Sequence, residues 1–517
     1  MVAGVAARAA ADPAGWALTD GAENLTWASL NERLNRAVSA LLAADLGPER
    51  RVAVMAQNGV PAAIAHLAVI CAGASAVPVN WQLRPAEARH ILADSRAGLV
   101  LSTPECAAAA RQACPPGVVV VESLAQYAAA VPPGEPPGQI APRRALMYTS
   151  GTSGVPKAVE QAAAMFAGGA TIAEHVAVLA ASPAARLGPH LVAGPLHHTG
   201  PLSGLRCLVT GTPTVVLPRF DAAAALAAIE RYQVASTTMV PTHFARLLAL
   251  PADVRQRHDL SSLRRVAHTG SPCPVHVKRA MIEWLGPVIV EAYGSTEVGT
   301  VTSIDSAGWL SHPGSVGRAV PPFEVTIRDE AGRALPAGTE GLVCVRNHRD
   351  GGPRYLNDPA KTAASFLDGD FFVMGEIGLL DADGYLYLTD RAADLVVSGG
   401  VNVYPAEAEA VLAAHPGVSD VAVIGVPDAD LGERLLALVV AGEPAVTAGE
   451  LLTWCQARLT RYKCPRAVRF VPALPRTAMG KLGKRELRAR YGPDAAGPAR
   501  IATSPVAMST RDEEGLP

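Results

Sequence analysis

Residues 148–160, YTSGTSGVPKAVE, constrain this chain more than any other stretch, because they set a Gly/Ser/Thr loop directly behind a short apolar run (Ala145, Leu146, Met147). Such a loop leaves backbone N–H groups unhindered and supplies four hydroxyls, on Thr149, Ser150, Thr152 and Ser153, with Gly151 and Gly154 among them. Lys157 adds a fixed positive charge. N–H groups in a turn form an anion-binding concavity, and a lysine neutralises what they cannot, so the segment suits a polyphosphate. The spacing Gly151-x-x-Gly154-x-x-Lys157 does not fit the common nucleotide loop G-x-x-x-x-G-K-[ST]. A polar surface turn is the competing reading of a bare Gly/Ser loop. The residues that follow are alanine-rich, so the loop is expected to lead from a strand into a helix.

Helical and strand patterns alternate on both sides of this loop. Apolar residues recur at helical spacing over 26–46 (Leu30, Leu34, Ala37, Leu41, Leu42), with Thr26 as the start, and residues 51–55 read as a strand. The alternation continues through 86–94, 98–102 and 117–121, and resumes from 171 to 290. This is the rhythm of βαβ units on a largely parallel sheet. From 314 to about 388, short β-prone runs (324–328, 341–346, 385–388) between Gly/Pro/Asp turns suggest a small barrel or antiparallel sheet. Another compact α+β unit is expected over 395–489. Residues 1–20 read as a frayed end, and those after 492 as a disordered tail.

Composition narrows the function. With 45 basic and 47 acidic residues and 5% aromatics, nothing favours nucleic acid or an anionic membrane surface. The eight cysteines are scattered without C-x-x-C spacing, so neither a zinc site nor a disulfide framework is expected, and a reduced cytoplasm fits. No charged n-region with an apolar h-region opens the chain, so a signal peptide is not expected. Residues 60–80 are uncharged for about the length of a membrane span, but Pro61, His66, Gly73 and Pro78 interrupt them. A buried helix over 62–72 and a strand over 76–79 fit better.

Five more segments carry chemistry. In residues 291–299, EAYGSTEVG, Tyr293 can stack a flat base, Thr296 offers a hydroxyl and Glu297 a carboxylate for Mg²⁺; a loop with a core tyrosine is the alternative. Residues 374–378, MGEIG, place Glu376 in a turn-rich segment, and Asp390-Arg391-Ala392-Ala393-Asp394 follows. Residues 398–400, Ser-Gly-Gly, form a small-residue turn. Lys481 lies on a glycine-flanked loop, where an isolated lysine is ordinarily a solvated side chain.

In this order and spacing, the segments resemble the superfamily of acyl-CoA synthetases, peptide-synthetase adenylation domains and luciferases, over about residues 25–490. The resemblance implies an α/β fold: a large N-terminal domain (1–390) of two α/β/α layers plus a small β-barrel, a hinge (391–393), and a smaller mobile α+β lid (394–492) before the tail (493–517). It implies that ATP phosphates lie on Thr149, Ser150, Gly151, Thr152, Ser153, Gly154 and Lys157. Adenine and ribose would be held by Gly270, Ser271, Pro272, Glu291, Ala292, Tyr293, Glu376 and Arg391. Thr296 would meet the α-phosphate, Glu297 the magnesium, and Lys481 the charge developing in the first half-reaction. Ser398, Gly399 and Gly400 would border the coenzyme A tunnel. Two positions depart from the family pattern: Glu376 stands where aspartate is usual, and Ala393 where a charged hinge residue is usual.

The same resemblance puts the acyl pocket at His198, Thr199, Gly200, Gly204, Val240, Gly294 and Ser295, with His198 guarding the substrate carboxylate. Amino-acid-activating relatives use an aspartate near this histidine, and none occurs between Arg186 and Arg206. A buried ammonium without a partner is costly, so an amino acid is disfavoured. Gly200, Ser203 and Gly204 are small and leave room for a wide apolar body. The expected activity is an ATP- and Mg²⁺-dependent acyl-CoA synthetase for a fatty or bulky ring-containing acid. The alternatives are a stand-alone adenylating enzyme loading an acyl carrier protein, and a catalytically silent nucleotide-binding member.

Overall fold

A computed structural model describes residues 3–132, 134, 137, 139–150, 156–160, 168–271, 273, 275–329, 331–349, 352–391, 396–403, 405–475 and 484–492. The chain divides into two compact units, Met1–Ala393 and Asp394–Pro517.

Two sheets form the body of the first unit. A four-stranded parallel sheet runs in the order Ser75–Pro78, Arg51–Met55, Leu99–Ser102, Val119–Val121. Its first three strands are buried throughout, which is why they read as near-continuous apolar runs. Beside them lies the helix Val60–Cys71, buried along almost its whole length, with proline in its first turn, where a missing N–H costs nothing. The following strand, Ser75–Pro78, completes the expected helix–strand pair. Among the described residues no helix is long and apolar enough to cross a membrane.

The second sheet has nine strands and carries the site. Its centre is parallel: His190–Val192, Ser236–Met239, Arg265–His268 and Ile289–Ser295 lie side by side. Gly299–Asp305 then returns antiparallel to Ile289–Ser295 across a three-residue turn, 296–298. In sheets of this kind ligands bind beyond the carboxyl ends of the strands. A five-stranded antiparallel sheet (Phe323–Arg328, Gly341–Asn347, Phe366–Leu367, Phe371–Leu380, Leu386–Arg391) closes over its own apolar core of Phe323, Ile327, Val343, Val345 and Phe372. The β-prone runs between 324 and 388 all fall on its strands.

Two expectations change. The first residues are not frayed: Ala3–Ala11 is a helix with Val5 fully buried, and Trp16–Thr19 joins the nine-stranded sheet. Alanine-rich sequence hid this, because small side chains give little periodicity while packing closely. The phosphate-loop segment leads from Leu146–Ser150 into a second strand, Pro156–Glu160, antiparallel to the first, and not directly into a helix. Proline at 156, the first residue of its strand, and the β-branched Val159, opposite Met147, suit that hairpin.

The second unit is an α+β structure with a five-stranded sheet: Val401–Val403, Val396–Ser398, Gly432–Ala441, Val418–Asp428 and Ala467–Phe470. Helices Pro405–Ala413, Ala448–Gln456 and Lys484–Tyr491 belong to it. A buried Lys463–Glu407 ion pair of 2.7 Å ties the first helix to the 461–463 turn. All eight cysteines are free.

Candidate active site

The hairpin Leu146–Ser150/Pro156–Glu160 sets Lys157 opposite Thr149 in register. A third strand, Arg354–Tyr355, pairs with Pro156–Glu160, Tyr355 opposite Val159. This pairing brings Asp358 to the lysine: Lys157 Nζ donates to Asp358 Oδ2 at 2.5 Å. Asp358 also caps the helix Pro359–Ala364, accepting from the Lys361 backbone N–H at 2.9 Å. The Lys157 hydrogen bond, followed by that cap bond, holds the Asp358 carboxyl below its usual range.

Tyr355 extends the cluster toward the second motif. Its hydroxyl donates to Glu297 Oε1 at 3.3 Å, and Lys361 Nζ lies 4.0 Å from the centre of its ring. Burial, then the Lys157 charge, lowers the Lys361 pKa, while Glu297 and Asp358 pull it the other way. Two cations and two carboxylates thus face one another around the hairpin. Glu297 sits in the turn between Ile289–Ser295 and Gly299–Asp305, its N–H bonded to Ser295 Oγ at 3.2 Å, next to the Thr296 hydroxyl. This donor set is oxygen-only, and among the described residues no group of three or more His, Cys, Asp or Glu could cage a metal. One carboxylate with hydroxyls fits Mg²⁺, which keeps waters and binds through one or two carboxylates plus phosphates.

At the end of the same strand, Tyr293 donates its hydroxyl to Glu376 Oε2 at 3.0 Å. Glu376 lies on Phe371–Leu380, opposite Arg391 in register. The structure therefore gathers Tyr293, Glu376 and the Arg391 backbone position, three of the residues expected around a nucleoside. Gly270 and Ser271 follow the strand Arg265–His268, with Gly270 at φ +91° and exposed. Ala292 is half-buried between Glu291 and Tyr293.

Glu291 has a partner that the sequence did not announce. Its Oε2 accepts from Lys278 Nζ at 2.5 Å; both are buried, and His268 Nε2 is 3.7 Å away. Lys278 also lies 4.9 Å from the centre of the Trp309 ring. Burial raises the Glu291 pKa and lowers that of Lys278, and their mutual attraction opposes both shifts.

The residues expected on the acyl side follow the strand His190–Val192. Asn58 fixes that loop: its amide donates to Gly194 O at 2.9 Å and Leu217 O at 3.1 Å, and its oxygen accepts from the Leu196 N–H at 2.9 Å. His197 and His198 follow with ring centres 4.5 Å apart, and His198 caps the helix Thr199–Leu205. Burial lowers the His198 pKa to about 4, so its imidazole is neutral. Beside Gly200 are the methyls of Thr238 and Thr269, and Val240 lies beside Gly270.

Three small residues do not open the pocket as expected. The space beside Gly204 is taken by the His190 imidazole, and a β-carbon there would collide with it. Gly294 lies at a register shift in its strand and abuts the Gly299 carbonyl, so its missing side chain serves strand pairing. Ser203 is exposed on the outside of its helix.

In the second unit, Gly399 and Gly400 join Val396–Ser398 to Val401–Val403 with φ of +60° and +81°, as a type I′ two-residue hairpin requires. Gly399 N donates to Leu431 O at 2.8 Å. Gly151, Thr152, Ser153, Gly154, Pro272, Ala393 and Lys481 lie outside the described residues, as does the tail after 492. Sequence reasoning missed Asp358, Tyr355, Lys361, Asn58 and Lys278. Of these only Asp358 left a signal, an aspartate directly before a helix-opening proline.

A phosphate hairpin with a lysine, a hydroxyl–carboxylate turn and a tyrosine–carboxylate pair at the strand ends are the parts of an adenylate-forming enzyme. Residues 5–350 match the AMP-binding enzyme family, and residues 407–481 match the AMP-binding enzyme C-terminal domain. The feruloyl-CoA synthase of an Amycolatopsis species is 36% identical over 94% of this chain and 98% of its own. The long-chain-fatty-acid–CoA ligase of Mycobacterium tuberculosis is 33% identical over 90% and 93%. Among solved structures, the amide bond synthetase McbA from Marinactinospora thermotolerans aligns with a TM-score of 0.82 at 30% identity, covering 94% of this chain and 99% of that one. The chain belongs to the AMP-binding (ANL) family of adenylate-forming enzymes. Within that family it is an AMP-forming acid–CoA ligase, with a carboxylic acid, ATP and coenzyme A as its substrates.

Proposed function

We propose that the acid is a hydrophobic, non-amino carboxylic acid, fatty or ring-containing, and that the acceptor is coenzyme A. The observation that carries this reading is the chemistry around Gly200: threonine methyls, a neutral His198, and no carboxylate between Arg186 and Arg206 to hold an ammonium. Relatives named for ferulate, indoleacetate and long-chain fatty acids, all at 33–36% identity, support a hydrophobic body.

In the first half-reaction a substrate carboxylate oxygen attacks the α-phosphorus of ATP. The bond from that phosphorus to the bridging oxygen breaks, and pyrophosphate leaves. His198 donates a hydrogen bond to the carboxylate and orients it. Lys157 and the hairpin N–H groups hold the β- and γ-phosphates, Thr296 the α-phosphate, and Tyr293 with Glu376 and Arg391 the nucleoside. Fixed charges and dipoles of this kind supply most of the barrier lowering in such a step. Glu297 would hold Mg²⁺, which when bound neutralises phosphate charge. Lys481 is proposed as the further cation on the α-phosphate. In the second half-reaction the thiol sulfur attacks the acyl carbon, the bond to AMP breaks and the thiol proton passes to solvent. The Ser398-Gly399-Gly400 turn is proposed to border the pantetheine path, and Ala393 to be the hinge.

Pyrophosphate release measured against fatty, terpenoid, steroid-like, aryl and amino acids tests the acid. Turnover with amino acids alone would overturn the reading. Comparing coenzyme A with a phosphopantetheinylated carrier protein separates the ligase from a carrier-loading enzyme. Lys481→Ala is expected to abolish ATP–pyrophosphate exchange yet still convert supplied acyl-adenylate to thioester.

A further inference from the structure

Gly200 and Gly204 sit one turn apart on the same face of the helix Thr199–Leu205, about 6 Å along its axis. That face lies on the nine-stranded sheet. At Gly200 an added β-carbon would meet only the Thr238 and Thr269 methyls, at 3.8 and 3.9 Å. Thr238 is half-buried, whereas the other three residues of the central strand Ser236–Met239 are buried, and Gly200 and Thr269 are half-buried as well. At Gly204 there is none, because the His190 ring fills it. Between helix and sheet, a side chain at the first glycine would make ordinary contacts with two methyls, whereas at the second it would collide with the imidazole.

His190 is held firmly in that position. It begins the strand His190–Val192, between Thr214 and Ser236 in register, and its Nδ1 is bonded to Ser236 Oγ at 2.9 Å. The side chain is buried, 6% exposed, and burial lowers its pKa to about 4, so the ring is neutral. Its Nε2 faces Gly204 with no hydrogen-bond partner among the described residues. A ring locked by a hydrogen bond on a central strand is a rigid wall, whereas a loose apolar side chain could turn aside.

We propose that His190 is the end wall of the acyl pocket and sets the length of acid accepted, admitting compact bodies and excluding long unbranched chains. The inference rests on the reading that the acid lies beside Gly200. It commits the enzyme to aryl, short or medium-length acids and makes His190 a specificity-determining residue.

The test is pyrophosphate release with unbranched saturated acids from butanoic to hexadecanoic, for the full chain and for His190→Ala. Each methylene newly accommodated is worth about four-fold in kcat/KM. The wild type should lose activity in the upper half of the series. His190→Ala should raise the dodecanoic-to-hexanoic ratio of kcat/KM at least ten-fold, carried by KM. His190→Val, smaller than histidine and suited to a strand, should give the same direction if the alanine variant does not fold. Ser236→Ala, which keeps the ring but frees it, should give a smaller shift. A folded variant with an unchanged length profile overturns the wall, as does a wild type equally active on hexadecanoic acid. A wild type that turns over none of these acids and no aryl acid overturns the proposed function and the wall with it.

Discussion

Lys157 Nζ lies 2.5 Å from Asp358 Oδ2, an ion pair between residues 201 positions apart. The pair exists because the strand Pro156–Glu160 is flanked by Arg354–Tyr355, whose next turn opens the helix capped by Asp358. With Lys157 holding nucleotide phosphate as proposed, that phosphate would have to displace Asp358 from the lysine or share it. Asp358 is therefore a competitor as well as a scaffold.

Asp358→Asn separates these two roles, since asparagine keeps an oxygen for the Lys361 N–H but carries no charge. Both partners are about 30% exposed, so solvent screens the pair and its contribution is small. The KM for ATP in pyrophosphate exchange is expected to fall by up to about five-fold, with kcat little changed. An unchanged or raised KM in a stably folded variant would mean that Asp358 only positions the lysine.

The buried pair Lys278–Glu291 predicts a larger effect of a different kind. Lys278 has no exposed side-chain surface, and Glu291 has 8%. Removing one partner leaves a buried charge uncompensated, at a cost of about 3–5 kcal/mol. Lys278→Met is expected to destabilise the first unit by about that amount, read from urea unfolding followed by tryptophan fluorescence, with Trp309 adjacent to the site of change. Adding Glu291→Gln should restore part of the loss, because no unpaired charge then remains. A double variant less stable than the single one would show that the carboxylate is held by other donors.

What the sequence made legible follows from how local each signal is. The turn glycines 399 and 400 and the helix started by Thr26 are encoded by adjacent residues, and each was readable. Thr26 accepts from the Ser29 N–H as its type suggests. Asp358 and Lys157 meet only through strand pairing, and Lys278 reaches Glu291 from a neighbouring helix, so spacing carried no trace of either. Gly204 misled for a related reason. A glycine leaves space in sequence, but the fold decides whether the substrate or another side chain, here His190, occupies it. The helix Ala3–Ala11 was missed because alanine supplies little contrast between its buried and exposed faces.

Buried neutral histidines set the acid limit of the first unit. Burial is the leading cause that lowers His66 and His243 to about 3, and His190 and His198 to about 4, against 6.5 in an unstructured chain. Between pH 6.5 and about 4 the unfolded chain binds protons at these positions and the folded one does not. Stability is therefore complete above pH 6.5 and falls as pH drops through that window, by up to about 1.4 kcal/mol per pH unit for each histidine. The carboxyls held low, such as Asp358, lose their contribution below that window, as pH falls under about 4. Urea unfolding between pH 7 and 4.5 should give a steep slope corresponding to an uptake of more than about four protons, because burial holds His197 and His268 well below 6.5 as well. His66→Leu, which removes one buried imidazole without exposing another, should reduce that uptake by one. Flat stability down to pH 4.5 would mean that these rings are protonated in the folded protein, and their burial would no longer account for the acid limit.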